Sequence, residues 1–178
     1  MIVRGLLIIT SLFFTLFSFV QPPEYQKLKA EAERLYGEKS FSLAHETYLK
    51  AERSKLSANE VRWVEFRLAD TLWRAQAATN TNDDTKLQEA RQQLAALIKE
   101  GIGETKERDP IWGEAHESLG DYFWTRLHQQ NWAAAWPHYQ QALDYWAGTK
   151  DIETARQRYL KIVWTMAEPP SREPYYYY

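Results

Sequence analysis

From Pro22 to Ala167 the apolar residues recur at intervals of three and four, and no stretch of strand length alternates apolar with polar. The first pattern is the period of an α-helix, and a half-buried strand needs the second. A chain so patterned folds as helices whose apolar stripes must cover one another. Helix starts are marked. Ser57 with Glu60, and Thr85 with Gln88, have the spacing of a capping box. Asp109 precedes Pro110, a cap followed by a proline at the first helical position, and Asp151 is placed to cap the last helix. Breaks fall at Gly37, Gly101 to Gly103, Gly148 and Pro169-Pro170. These signals predict about seven helices, over 23–37, 41–55, 58–78, 85–99, 110–129, 132–147 and 152–167. Pro137 lies inside the sixth and predicts a kink there.

The helices read as pairs. The second member of each carries a stripe of bulky and small residues spaced three, four, three: Phe41, Ala44, Tyr48, Ala51; then Leu87, Ala90, Leu94, Leu97; then Trp132, Ala135, Tyr139, Ala142. That spacing keeps all four on one face. The first members carry a small residue at a matching place: Ala32 before Leu35, Ala69 before Leu72, Gly120 before Phe123. A small residue lets two helix axes approach, and the bulky ones a turn away fill the remaining gap. Trp132 and Tyr139 are therefore expected in the core.

This arrangement resembles the tetratricopeptide repeat, with its L-G-x-x-Y and A-x-x-x-F signatures. The likeness covers about 28–167 and is fullest in the third unit, Ser118 to Leu143. It implies an all-α fold, a right-handed superhelical array of antiparallel helix pairs. The repeat alanines lie 46 residues apart (Ala44 to Ala90) and then 45 (Ala90 to Ala135), longer than the 34 of that family. A polar insertion at Thr79 to Asp84 lengthens the second unit, and a HEAT-like array is the alternative that suits the longer period. The runs 44–52 and 63–79, with the ending Arg172 to Tyr178, also look like the helical leader of large secreted bacterial α-2-macroglobulin-like proteins. Those proteins use a thioester built on a cysteine, and this chain has no Cys, so that chemistry does not carry over.

The resemblance implies that the first helix of each pair lines a concave groove. The family's groove positions fall on Gln26, Lys29, Glu33 and Tyr36, on Trp63, Phe66, Asp70, Trp73 and Arg74, and on Glu114, Glu117, Asp121 and Trp124. The candidate partner-binding set is Trp63, Phe66, Asp70, Trp73, Arg74, Glu117, Asp121 and Trp124. Its mixture of large aromatics and charges suits a protein interface. The aromatics would bury against a partner while Arg74 and Asp70 fix its orientation. The competing reading packs Trp73 and Trp124 against the next helix pair.

Residues 1–20 form an address. Arg4 precedes an apolar run from Leu6 to Val20, which matches a secretory signal and is short for a spanning helix. Ser18 and Val20 are tolerable at a cleavage site but not ideal, so an uncleaved anchor is the alternative. Either places residues 21–167 outside the cytoplasm, periplasmic, secreted or membrane-anchored. Residues 168–178, rich in Pro and Tyr, read as an extended, disordered tail.

Chemistry is thinly supported. His45-Glu46 and His116-Glu117 begin like a zinc-protease motif, but Leu49 and Gly120 stand where the second histidine belongs. All four are expected as polar surface residues, and His128 and His138 as exposed or core-edge. Asn80, Asn82 and Asp84 alternate like the start of a calcium loop, yet Thr85 replaces its glycine and Arg91 its bidentate glutamate. No phosphate loop or nucleophile elbow appears. Arg156, Arg158 and Lys161 are expected to be local and exposed. With 22 Lys and Arg against 24 Asp and Glu in 178 residues, the chain lacks the positive charge that phosphate neutralisation needs. The expectation is a non-catalytic interaction module without cofactor or metal. Its partner is a protein or peptide, not nucleic acid, and membrane contact is confined to 1–20. A structural leader or spacer of a larger envelope protein is the rival, and a carboxylate hydrolase a distant third.

Overall fold

The computed structural model describes residues 23–79, 84–100, 108–126 and 129–167. The expected signal segment 1–20, most of the polar insertion, the Gly101 to Gly103 break, His128 and the expected tail 168–178 lie outside the described residues. Among those described, seven α-helices follow one another with no strand: α1 (Pro23–Gly37), α2 (Phe41–Leu49), α3 (Ala58–Thr79), α4 (Asp84–Glu100), α5 (Pro110–Trp124), α6 (Trp132–Ala147) and α7 (Ile152–Ala167). The all-α expectation holds, and most boundaries agree within two residues.

Two helices are shorter than expected. α2 ends at Leu49, and a separate 3-10 turn covers Arg53–Lys55. The end of α2 is closed by the Lys50 and Ala51 amides, which donate to Thr47 and Tyr48, an i→i−3 pattern that tightens the chain out of the α-helix. α5 stops at Trp124, where Thr125 turns both its amide and its hydroxyl onto the Asp121 carbonyl. The Asn131 amide then reaches back to the Phe123 carbonyl at 2.7 Å and closes the turn into α6. α6 continues as one helix through Pro137.

Side-chain caps account for the starts. Asp109 accepts from the Trp112 amide at 2.7 Å, and Asp151 accepts from Thr154 at 3.1 Å. Ser57 accepts from Glu60 at 3.4 Å. Asn131, which the sequence did not single out, caps α6 through the Ala134 amide. Each such cap contributes about 1 kcal/mol. Thr85 lies one residue inside α4, so it is not the residue that precedes the helix.

Neighbours in sequence pack together, and α3 also meets α5, and α5 meets α7. Side-chain bonds tie α1 to α3. The odd-numbered helices thus share one side of the array and the even-numbered ones the other. α5 sits in the middle, and every residue from Ile111 to Tyr122 is buried. The pairing rule is clearest between α5 and α6. A Cβ on Gly120 would stand 2.5 Å from the Tyr139 ring, so only glycine admits that ring. Ala32 with Tyr48, and Ala69 with Leu94, share clusters in the earlier pairs. Trp132 is a correction: it is 40% exposed and not core. It opens α6 beside the end of α5, where Trp124 meets its ring edge-on at 5.0 Å and Trp136 stacks at 5.8 Å.

Candidate functional site

Helical spacing brings charged residues from four helices to one place. On α3, Arg67, Asp70 and Arg74 recur at three and four, and on α5 so do Glu114, Glu117, Ser118 and Asp121. α1 supplies Glu33 and Tyr36, and α7 supplies Arg158 and Lys161. These faces belong to the odd-numbered helices and converge between them.

The charges fall into three bonded groups, two of which approach where Arg67 Nη1 lies 3.8 Å from Asp70 Oδ2. Arg67 donates through Nε and Nη2 to the two carboxylate oxygens of Glu33, each at 2.8 Å. Arg74 donates through Nε to Asp70 Oδ1 at 2.9 Å and through Nη2 to Asp121 Oδ2 at 2.8 Å. Asp121 also accepts from the Tyr139 hydroxyl, 2.9 Å away. Arg158 bridges Glu114 at 2.8 Å and Glu117 at 3.4 Å, and Lys161 reaches Glu117 at 2.9 Å. Ser118 donates to Asp70 Oδ1 and accepts from Trp73 Nε1 at 2.9 Å. Five carboxylates therefore face four cations. Paired geometry of this kind is what permits charges to be buried at all.

Burial sets the protonation states. On its own it would push the Asp70 carboxyl up, but Arg74 and Arg67 outweigh it and hold the group below its usual range. At Glu114 burial wins over Arg158 and Arg67, and the carboxyl is raised. Tyr36 is raised by burial and by the Asp70 charge. The Arg67 guanidinium lies 4.2 Å from the Tyr36 ring centre and 4.5 Å from that of Trp63, contacts that fix its plane. A cleft of about 200 Å³ opens beside these groups, lined by Tyr36, Phe66, Arg67, Asp70, Glu114 and Lys161 among others. Two larger depressions lie along α2, α3 and α4, but they are open and gather no buried charges.

The structure sorts the expected site residues. Asp70, Arg74, Glu117 and Asp121 belong to the network. Phe66 and Trp73 are each 2% exposed, so their expected role as open partner contacts is corrected: they are core. Trp63 is half-buried and donates from Nε1 to the Tyr48 hydroxyl. Trp124 is packed against α7, donating from Nε1 to the Thr165 carbonyl at 3.0 Å. Arg158 is likewise not a local surface charge, because its partners are the buried Glu114 and Glu117. Arg67, Ser118 and Lys161 were not selected from the sequence. Their signal was there in the register of Arg67 with Asp70 and Arg74, but nothing in one helix tells which charges a neighbouring helix will cover.

The expectation of surface positions is corrected for His45 and His116, while His138 lies at the core edge as expected. His45 Nδ1 bridges α2 to α3, 3.1 Å from both the Leu68 carbonyl and the Thr71 hydroxyl. His116 is buried between Trp112 and His138, with the two Nδ1 atoms 3.1 Å apart and its own Nε2 without a partner. Among the described residues no group of three or more His, Asp or Glu is placed to hold a metal. Burial, then His138 and Arg108, push the His116 imidazole down to about 3, and burial lowers His138 as well. His116 stays neutral in the folded chain and His138 takes up a proton less readily there, whereas the unfolded chain takes up protons near the ordinary value of 6.5. Stability is thus complete above that value and falls as the pH drops below it. The slope is at most about 1.4 kcal/mol per pH unit for each imidazole. Denaturation midpoints in urea are expected to be lower at pH 5 than at pH 7.5, with the gap narrowed in His116→Phe. An equal gap in that variant would assign the acid sensitivity to the carboxylates instead.

The fold and site define a class, an all-α array with a charged cleft on the side of its odd-numbered helices. No protein-family model matches the chain, and neither a curated protein nor a solved structure does.

Proposed function

We propose that this chain is a non-catalytic interaction module, a tetratricopeptide-like array outside the cytoplasm that binds a protein or peptide along its odd-helix side. The observation that carries the reading is the cleft between α1, α3, α5 and α7, where charges of both signs are held in fixed positions. Preset charges of this kind orient a partner and reject wrong ones more than they add raw affinity. The carboxylates there are engaged by arginine or lysine, which suits recognition better than proton transfer. The aromatic contribution to binding moves from Phe66 and Trp73 to Tyr36 and the half-buried Trp63.

The test is a selection of random displayed peptides on the full-length chain, followed by amide exchange with the peptides bound. Protection is expected on α1, α3, α5 and α7 around Tyr36, Arg67, Glu114 and Lys161. Failure to select any peptide, or protection confined to α2, α4 and α6, would sink the reading.

A second reading is a structural leader or spacer in a larger helical assembly, α-2-macroglobulin-like or otherwise. It is favoured by the outer face of α7, where Ile152, Tyr159, Leu160, Val163 and Trp164 (61% exposed) form an uncovered apolar stripe. A further helix packed on that stripe would continue the array.

A further inference from the structure

We infer that the outer face of the α6–α7 pair binds a second copy of this chain, the two α7 helices crossing antiparallel about a two-fold axis near Leu160. The inference goes beyond the groove reading and leaves the cleft open, because Arg158 and Ile162 turn the other side of α7 inward. Three observations carry it.

The first is a concentration of exposed apolar side chains. Among the described residues, every exposed large hydrophobic side chain apart from Leu43 and Leu49 lies on α6 or α7. Trp132 and Trp136 open α6, and Tyr159, Leu160, Val163 and Trp164 run along the second half of α7. The two sets adjoin. Trp132 meets Trp124, whose Nε1 is bonded to the Thr165 carbonyl, and the partly buried Leu143 and Met166 pack in one cluster between the helices. With about 200 Å² for each aromatic side chain, the patch exposes roughly 600 Å². A monomer rarely leaves more than that in one place, and a standard specific interface takes roughly 800 Å² from each partner.

The second is a lack of charge. Gln129 to Leu143 includes no Asp, Glu, Lys or Arg. Tyr159 to Ala167 includes only Lys161, which is spent on Glu117. An unlike protein partner is steered and selected by interface charges. Aromatic enrichment with little charge is the composition of contacts between identical chains.

The third is self-complementarity. α1, α3 and α5 each pack on the helix that follows, and among the described residues no helix follows α7. A second α7 supplies one. Ile152, Arg156, Leu160 and Trp164 recur every four residues, a ridge that fits the matching groove of a crossing helix. With the axis at Leu160, the antiparallel sense sets Arg156 against the partner's Trp164, a cation on an aromatic face. The parallel sense sets Arg156 against itself. Arg156 is exposed, and its ion pair with the exposed Glu153 is long, 3.9 Å, so little holds it back.

The chain has no Cys, so one introduced thiol reports its own surroundings. In the full-length chain under mild oxidation, Leu160→Cys is expected to join two copies by a disulfide, since a residue on a two-fold axis meets itself. Arg156→Cys and Leu49→Cys, both at exposed positions, are expected to lack that crosslink. Sedimentation of the full-length chain should show a dimer. Trp164→Glu, at a 61% exposed position, should keep the fold by circular dichroism and weaken the dimer by about thirtyfold or more, as the loss of a central aromatic anchor does. A chain that stays monomeric, equal crosslinking at Leu49→Cys or Arg156→Cys, or a dimer that survives Trp164→Glu would overturn the inference. Association through residues 1–20 would give that last result. Shielding of the Leu160→Cys thiol from a soluble maleimide by phosphatidylcholine–phosphatidylglycerol vesicles, without crosslinking, would assign the face to lipid and overturn it too. Each of these outcomes leaves the displayed peptides to decide the groove separately.

Discussion

Trp73→Ala is expected to cost about 3–5 kcal/mol of stability, the usual range for emptying a buried tryptophan site. For a chain of this size that lowers the melting temperature by roughly 6–20 °C. The ring is 2% exposed and meets Tyr122 edge-on at 5.8 Å. Its Nε1 is bonded to Ser118, and the Arg74 guanidinium lies 4.4 Å from its centre. Trp73→Phe should recover most of the packing and lose the bond to Ser118, a smaller cost of about 1–3 kcal/mol. Thermal and urea unfolding of the three proteins would decide the residue's role. A Trp73→Ala chain that melts like the parent and loses only peptide binding would return Trp73 to the groove surface.

The second large effect is expected at Asp70. Asp70→Ala removes the central carboxylate of a buried network and leaves Arg74 and Arg67 facing one another across α3. Breaking a buried pair from one side costs up to about 3–5 kcal/mol, and here Arg74 keeps only Asp121 and Arg67 only Glu33 while neither regains water. Asp70→Asn keeps the volume and should cost less. The Asp70→Ala, Trp73→Ala double variant should lose less than the two single losses added, since both act through Ser118. Asp70 also contributes to the acid limb. Its folded pKa lies below the ordinary carboxylate value, so its contribution is present above that value and is lost as the pH falls through the folded one. Stability measured down to pH 3 should therefore fall less steeply in Asp70→Ala than in the parent. An identical slope would show that the carboxylate is not held ionised by its two arginines.

Much of the fold could be read from spacing. The stripe of Ala135, Tyr139 and Ala142 is fully buried as expected, and Gly120 meets Tyr139 where the pairing pattern put a small residue against a bulky one. Asp109 and Asp151 cap the helices they precede. Local rules reach this far because a cap or a stripe depends only on residues within one or two turns.

The site was legible only in part. Trp63, Phe66, Asp70, Trp73 and Arg74 all lie on α3, yet they separate into core, network and half-buried wall according to what α1, α5 and α7 place beside them. Glu117 read as a surface carboxylate because its partners, Arg158 and Lys161, are more than forty positions away in the chain. Periodicity in a single helix shows which residues share a face, not which neighbour covers that face. The sequence by itself determined that the described residues form seven helices, the first six in three pairs, because hydrogen bonding, capping and apolar period are settled within each segment. Only the tertiary structure decided which charges were taken from water and matched, because desolvation and Coulomb energy depend on distances between helices that no local pattern encodes.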